Sequence, residues 1–138
     1  MGTFAYLDHA ADVMIHLEAS SLPDLFSTAG RALMEWMGPA PQASREFEED
    51  IETEAEGYEE LLVRWLQELL YIFHQKHAYL SEVLAIEITQ SRITATIRCR
   101  AWDESCDGDF QEVKAITYHK LRVDRCGELW QADVILDI

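Results

Sequence analysis

The order of apolar and polar positions predicts β-strands along most of the chain and two α-helices in its first half. Residues 4–7 are mostly apolar, and residues 13–17 alternate between apolar and polar side chains, which is typical of a half-buried strand. Residues 22–37 carry apolar side chains at helical spacing, after a Ser-Ser-Leu-Pro start and before a Gly-Pro end. Residues 58–73 form a stronger apolar stripe, so this second helix is expected to lie across a sheet and supply most of the core.

The second half of the chain is dominated by strand patterns. β-branched residues run through 83–89 and 93–101, and the residues between these two runs have the composition of a hairpin turn. Further strand patterns occupy 121–123 and the segment from Trp130 to the chain end, and no repeat or linker interrupts the order. We therefore predict an α+β fold, a single two-layer domain over residues 1–138 with two helices packed on one face of a mixed or antiparallel sheet.

Residues 45–57 contain a separate, acidic strand pattern. Glutamate or aspartate occupies every even position from Glu46 to Glu56, whereas the odd positions include Phe47 and Ile51. Such a strand has one apolar and one acidic face, and its charge discourages edge-to-edge pairing between molecules. One interpretation is a solvated face that only increases solubility, and the other is a docking surface for a basic partner.

The charge balance of the whole chain restricts its partners. There are 26 acidic residues against 11 lysines and arginines, and the formal net charge is −15. An anionic surface of this size repels phosphate backbones, and the basic residues are scattered, so direct binding of nucleic acid is not expected. Cations and basic protein surfaces are the expected partners.

The cysteine and apolar patterns indicate a reducing compartment and no membrane segment. The cysteines Cys99, Cys106 and Cys126 are odd in number and form no C-x-x-C pair, which also argues against a zinc site. No apolar stretch is long enough for a membrane span, and the N-terminus lacks the basic and apolar regions of a secretion signal. The cytoplasm is therefore the expected location.

The candidate functional residues lie at the two ends of the chain. Asp8, His9 and Asp12 surround two alanines in the sequence DHAAD, at a junction between strand patterns where a loop is expected. An ordinary turn, in which the aspartates bond their own backbone, is the alternative interpretation. The final strand pattern includes Asp137 and runs to Ile138, which would hold the terminal carboxylate at a fixed point beside Asp137.

Carboxylates from both ends would repel one another if the fold brought them together. Such a cluster needs a proton, a basic side chain or a cation to neutralise it. Lys114 is a candidate counter-ion. If a cation neutralises the cluster instead of Lys114, the carboxylate oxygens are hard ligands and would select Ca²⁺ or Mg²⁺ over zinc.

Three segments together resemble the signature segments of the archease family. They are residues 8–12 (DHAAD), residues 112–119 (EVKAITYH) and residues 134–138 (VILDI), which occur in the family's order in a chain of about the family's length. The family pattern usually has threonine where Ala10 stands, and this departure removes one hydroxyl. Neither the acidic strand nor the loop around Cys106 matches a family segment.

The resemblance implies a non-catalytic partner protein and not an enzyme. Archeases assist the RtcB-type RNA ligase of tRNA splicing and RNA repair by promoting guanylylation of the ligase and its multiple turnover. The resemblance also implies a metal site whose ligands are Asp12, Asp137 and the carboxylate of Ile138, with Ca²⁺ as the first candidate and Mg²⁺ or Mn²⁺ as alternatives. The implied supporting neighbours of this site are Asp8, His9 and Lys114.

Three other functions stay open at this point. An independent hydrolase would use Asp12 or Asp8 as base and His9 as proton shuttle with a metal-activated water, but no nucleophile motif or glycine-rich phosphate loop accompanies them. A chaperone or specificity modulator of a tRNA methyltransferase would use the acidic strand as its working surface. An acidic adaptor would contain the same carboxylates in a purely structural role.

Overall fold

The computed structural model describes residues 2–8, 11–42, 45–103 and 110–138. Most of the acidic loop around Cys106 therefore lies outside the described residues. Within them the chain forms the following elements in order: β1 (Thr3–Asp8), β2 (Asp12–Ala19), α1 (Leu22–Met37), β3 (Arg45–Glu54), α2 (Tyr58–Lys76), β4 (Ala78–Ile88), β5 (Arg92–Ala101), β6 (Ala115–Cys126) and β7 (Leu129–Asp137).

The strands form two sheets, and every described strand pair is antiparallel. One sheet has four strands in the order β1-β2-β7-β6, and the other has three in the order β3-β5-β4. The α+β class and the antiparallel pairing are confirmed. The division into two sheets differs from the single sheet expected, because alternation identifies a strand and its buried face but not its neighbours.

Each helix packs against strands of both sheets, so the core lies between them. α1 contacts β2 and β4, and α2 contacts β6, β4 and β3. The buried Trp65 of α2 donates its indole N–H to the carbonyl oxygen of Phe26 in α1 at 2.8 Å. At Gly30 a Cβ atom would lie 2.9 Å from Leu69 Cδ1 and 3.0 Å from Leu80 Cδ2, so the absence of a side chain permits close packing of α1, α2 and β4.

The helix boundaries follow the signals in the sequence. The Ser21 hydroxyl accepts the backbone N–H of Asp24 at 3.2 Å at the start of α1, and the Gly38 N–H donates to the Met34 carbonyl at its end. α2 ends at Lys76, and His77 follows in the left-handed conformation with φ 50° and ψ 50°. Neither α1 nor α2, the helices in the described part of the chain, has the length and apolar character needed to cross a membrane.

Candidate carboxylate site

Two of the predicted site residues face each other across neighbouring strands. Asp12 begins β2 and Asp137 ends β7, and the antiparallel register places them directly opposite one another. Their neighbours Val13 and Leu136 form the next pair and are both fully buried. Because side chains alternate along a strand, Asp12 and Asp137 lie on the opposite, outer face of the four-stranded sheet. Like charges directly opposite on antiparallel strands destabilise the pair.

Backbone hydrogen bonds hold the last residues at this point of the fold. The Ile138 N–H donates to the Ala11 carbonyl at 3.2 Å, and the Lys114 N–H donates to the Asp137 carbonyl at 2.8 Å. Three segments far apart in sequence therefore meet at one end of the four-stranded sheet. The structure thus brings together Asp12, Asp137, Ile138 and the backbone of Lys114.

The Asp12 carboxylate has an acceptor atom without a donor. Its Oδ1 atom is buried and has no hydrogen-bond partner among the described residues. A buried acceptor without a partner costs free energy, so native proteins usually satisfy such atoms with a donor, an ordered water or an ion. The unsatisfied oxygen and the opposed Asp137 carboxylate fit the oxygen-ligand chemistry of a hard divalent cation.

Of the three other predicted site residues, Asp8, His9 and Lys114, the structure describes the side chain of Lys114 only. The Lys114 side chain is exposed and forms no salt bridge with a side chain that the structure describes, so it does not neutralise Asp12 or Asp137 here. Asp8 pairs through its backbone with Val13, while its side chain and all of His9 lie outside the described part. No three His, Cys, Asp or Glu side chains within that part form a group that could hold a metal ion. Among the described residues, the side-chain carboxylates that meet at this point are those of Asp12 and Asp137.

A hydrogen-bonded ionic network on the same sheet was not anticipated from the sequence. His16 of β2 bonds Asp133 through Nδ1 at 2.6 Å and Glu18 through Nε2 at 3.0 Å. Arg122 of β6 donates Nε–H to Asp133 Oδ2 at 2.9 Å, and its Nη2 lies 2.8 Å from the same oxygen. The network therefore joins β2, β7 and β6 on one face. Only the strand register could have revealed it, since His16 and Glu18 are far in sequence from Arg122 and Asp133.

The network changes the protonation of its members. The hydrogen bonds that His16 donates to Glu18 and Asp133 raise the pKa of His16 above its usual value despite its partial burial. Burial raises the pKa of the Asp133 carboxyl, but the hydrogen bonds from His16 and Arg122 outweigh it and lower the pKa overall. His16 is accordingly held between two acceptors and is not a free base or metal ligand.

A large bulge interrupts β6 beside the carboxylate pair. Thr117 lies opposite Ile135, but Arg122 lies opposite Asp133, so the ladder is irregular in between. Within this stretch Lys120 has φ 53°, and Tyr118 is 56% exposed. The bulge projects exposed side chains next to the end of the sheet where Asp12 and Asp137 meet.

The acidic strand is neutralised in part by its neighbour. The even-numbered residues of β3 are exposed as predicted, and Glu46, Glu48 and Glu54 lie opposite Arg100, Arg98 and Arg92 of β5. Arg100 Nε is 3.4 Å from Glu46, and Arg92 also pairs with Glu54. Exposed pairs such as these add little stability, but they reduce the charge offered to a basic partner. This pairing favours the interpretation of the strand as a solvated face.

Comparison with protein families and curated proteins gives a consistent match over nearly the whole chain. The model of the Archease protein family (MTH1598/TM1083) matches residues 4–138. Protein archease of Archaeoglobus fulgidus is 31% identical over 136 residues, with 98% of each chain covered. Protein archease of Pyrococcus furiosus is 30% identical over 143 residues, with 100% of each chain covered.

Solved structures share the fold. The solution structure of Methanobacterium thermoautotrophicum protein 1598 has a TM-score of 0.72 at 27% identity and covers 98% of both chains. The crystal structure of an archease from Thermotoga maritima, described as a possible chaperone, has a TM-score of 0.68 at 20% identity and covers 96% of this chain and 94% of its own. The second similarity is evidence for the fold alone.

Proposed function

Because the chain belongs to the archease family, we propose that it is a non-catalytic activator of an RtcB-type RNA ligase in the cytoplasm. In this role it promotes guanylylation of the ligase and multiple turnover during tRNA splicing and RNA repair. The proposed working site is the carboxylate pair Asp12 and Asp137 with the Ile138 carboxylate. Asp8, His9 and Lys114 are its proposed neighbours.

The observation that carries this proposal is the meeting of two distant chain segments around carboxylates that form no ion pair with a side chain the structure describes. The β2–β7 register sets Asp12 opposite Asp137, and the buried Asp12 Oδ1 receives no hydrogen bond from the described residues. A fold that only needed stability would gain from replacing one of two opposed acids, because like-charged cross-strand pairs are unfavourable. Retaining both is consistent with a functional requirement for the negative charge.

The residues fit a divalent cation, with Ca²⁺ as the first candidate and Mg²⁺ or Mn²⁺ as alternatives. Asp12, Asp137 and the terminal carboxylate would supply its protein ligands. When bound, the cation would cancel the carboxylate repulsion and present a positive centre to phosphate groups. The chain's own part is to fix the ligands: the Ile138–Ala11 and Lys114–Asp137 backbone bonds hold the end of β7 in register with β2.

The test is single-turnover guanylylation of the ligase with purified wild-type protein, Asp12→Asn or Asp137→Asn. We expect both substitutions to reduce stimulation of the ligase strongly, while Asp124→Asn leaves it unchanged. Asp124 provides a matched control, since it is an exposed aspartate on the same sheet that pairs with Arg122 at 3.1 Å. Full stimulation by both site variants would remove the carboxylate pair from the mechanism.

The alternative is a chaperone or specificity modulator of a tRNA methyltransferase. The description of the Thermotoga maritima structure as a possible chaperone is the observation that keeps this alternative open. Affinity purification from cells separates the two functions. The proposal requires the ligase to co-purify with the protein, and recovery of a methyltransferase without the ligase would favour the alternative.

A further inference from the structure

The three-stranded sheet has two edges of very different character. Its order is β3-β5-β4, so β3 and β4 are the edge strands. β3 carries an acidic residue at every second position, which protects that edge from pairing. β4 instead continues from Ser81 as SEVLAIEI, with glutamates only at Glu82 and Glu87. Its Leu84 side chain is 37% exposed, so this edge carries an exposed apolar residue and few charges to prevent pairing.

Helix α1 covers only the beginning of the β4 edge. The Leu80 N–H points to α1 and donates to the sulfur of Met34 at 3.4 Å, and the Leu80 side chain is buried. A cleft of about 440 Å³ lies between α1 and the part of β4 around Ser81. This volume is in the range of ligand-binding clefts. The cleft walls include Asp24 and Glu35 of α1 and Glu82 of β4.

The last part of β4 offers a regular ladder to an added strand. Two bulges interrupt the pairing with β5 before Ala85, and Ala85–Ile88 then pair without a shift. The Thr89 N–H donates to the Arg92 carbonyl at 2.9 Å, and alternate N–H groups of an antiparallel strand point to opposite sides. The N–H groups of Ile86 and Ile88 therefore point away from β5, toward the open edge.

The charges around this edge select the occupant. Glu82 and Glu87 are exposed, and β4 itself contains no lysine or arginine. Arg98 of β5 pairs with Glu82 at 3.0 Å, whereas Glu87 forms no ion pair with a side chain that the structure describes, so Glu87 offers the unneutralised charge. The acids of the cleft wall lie on the same side, although Arg31 and Arg100 also reach the cleft. A second copy of this chain would bring another net charge of −15 and its own two glutamates to the edge. An extended segment with positive side chains avoids this repulsion.

We propose that the open edge of β4, from Ser81 to Ile88, binds an extended basic segment of a partner protein by strand addition. The segment pairs its backbone with the N–H groups of Ile86 and Ile88 and places a lysine or arginine side chain near Glu87. Main-chain bonds give such complexes affinity, and alternate side chains give specificity. The surface belongs to the sheet that does not contain Asp12 and Asp137, so it is independent of the carboxylate site.

The experiment uses the full chain and an eight-residue peptide of alternating lysine and valine with blocked ends. Amide exchange is measured by NMR with this peptide, with the same peptide N-methylated at every residue, and with a glutamate–valine version. At a peptide concentration ten times its Kd, we expect exchange at Ile86 and Ile88 to slow by about tenfold. The N-methylated peptide keeps the charge but lacks the backbone donors, so it should give no such protection.

Charge reversal tests the electrostatic part. Glu87→Lys should weaken binding of the basic peptide at least several-fold, whereas Glu68→Lys, a change of the same charge at an exposed site on α2, should have little effect. Equal binding of the plain and N-methylated peptides, or equal losses in both variants, would show non-specific attraction and overturn the proposal. Concentration-dependent protection of Ile86 and Ile88 without peptide would identify a second copy as the occupant and overturn it as well.

Discussion

Replacing Asp12 by asparagine should change the stability of the protein in opposite directions with and without calcium. The substitution keeps the shape of the side chain and removes its charge. In a chelator, it should relieve the repulsion between Asp12 and Asp137 and the desolvation of the unsatisfied Oδ1 atom. An opposed like-charge pair costs up to about 1 kcal/mol and a buried unsatisfied acceptor about 1–3 kcal/mol, although the amide oxygen retains part of the second cost.

We therefore expect Asp12→Asn to raise the free energy of unfolding by about 1 kcal/mol in EDTA. For a domain of this length, that corresponds to a rise in Tm of roughly 3–5 °C. In calcium at a concentration of about 100 times its Kd, the wild-type protein should gain about 2.7 kcal/mol, and the variant should gain little. The order of the two proteins should then reverse, leaving the wild type more stable by about 1–2 kcal/mol.

The assay is urea unfolding followed by tryptophan fluorescence and circular dichroism, in EDTA and in calcium. Asp124→Asn is the control, because Asp124 is exposed and its only described ionic partner is Arg122. This control should shift by no more than a few tenths of a kcal/mol under either condition. The reasoning fails if Asp12→Asn is no more stable than wild type in EDTA, or if it keeps the full stabilisation by calcium.

Two further predictions concern the ionic network and the helix contact. The folded-state pKa of His16 is raised, so the protonated histidine stabilises the fold fully below about pH 6.5 and this contribution is lost as the pH rises through the folded-state pKa. Urea unfolding between pH 6 and 9 should show this loss in the wild type, and a His16→Gln variant with the same slope would contradict it. Gly30→Ala should destabilise by about 1 kcal/mol, since overpacking against Leu69 and Leu80 exceeds the gain in helix propensity. Thermal unfolding checks this value, and a variant about 1 kcal/mol more stable than wild type would mean that the core absorbs the extra methyl group.

Local features of the chain were sufficient to locate most elements. Ser21 and Gly38 mark the two ends of α1, because capping and termination depend on groups within a few residues of the helix end. The alternation of β3 correctly assigned its exposed and inward-facing positions, since the period of a strand is a local property. The strand pattern at 121–123 was recognised, but its continuity with residues from Ala115 onward as one bulged strand was not.

The candidate site depended on a relation between distant segments. The motif around Asp12 and the final Asp137 indicated chemistry at each end, and the resemblance to archeases linked them. The structure supplies the register that sets the two aspartates opposite each other. It also supplies the His16–Asp133–Arg122 network, for which neither alternation nor spacing gave a signal.

The sequence by itself located both helices and most of the strands, and it determined that the chain is strongly anionic. These properties follow from side-chain periodicity, local capping and composition, all of which act over a few residues. Only the tertiary structure decided the division into two sheets, the pairing of Glu46 with Arg100, and the meeting of β2 with β7. These features depend on which strands pair with each other. The pairing is set by the balance between the free energy gained by burying the whole core and the entropy lost in closing long loops.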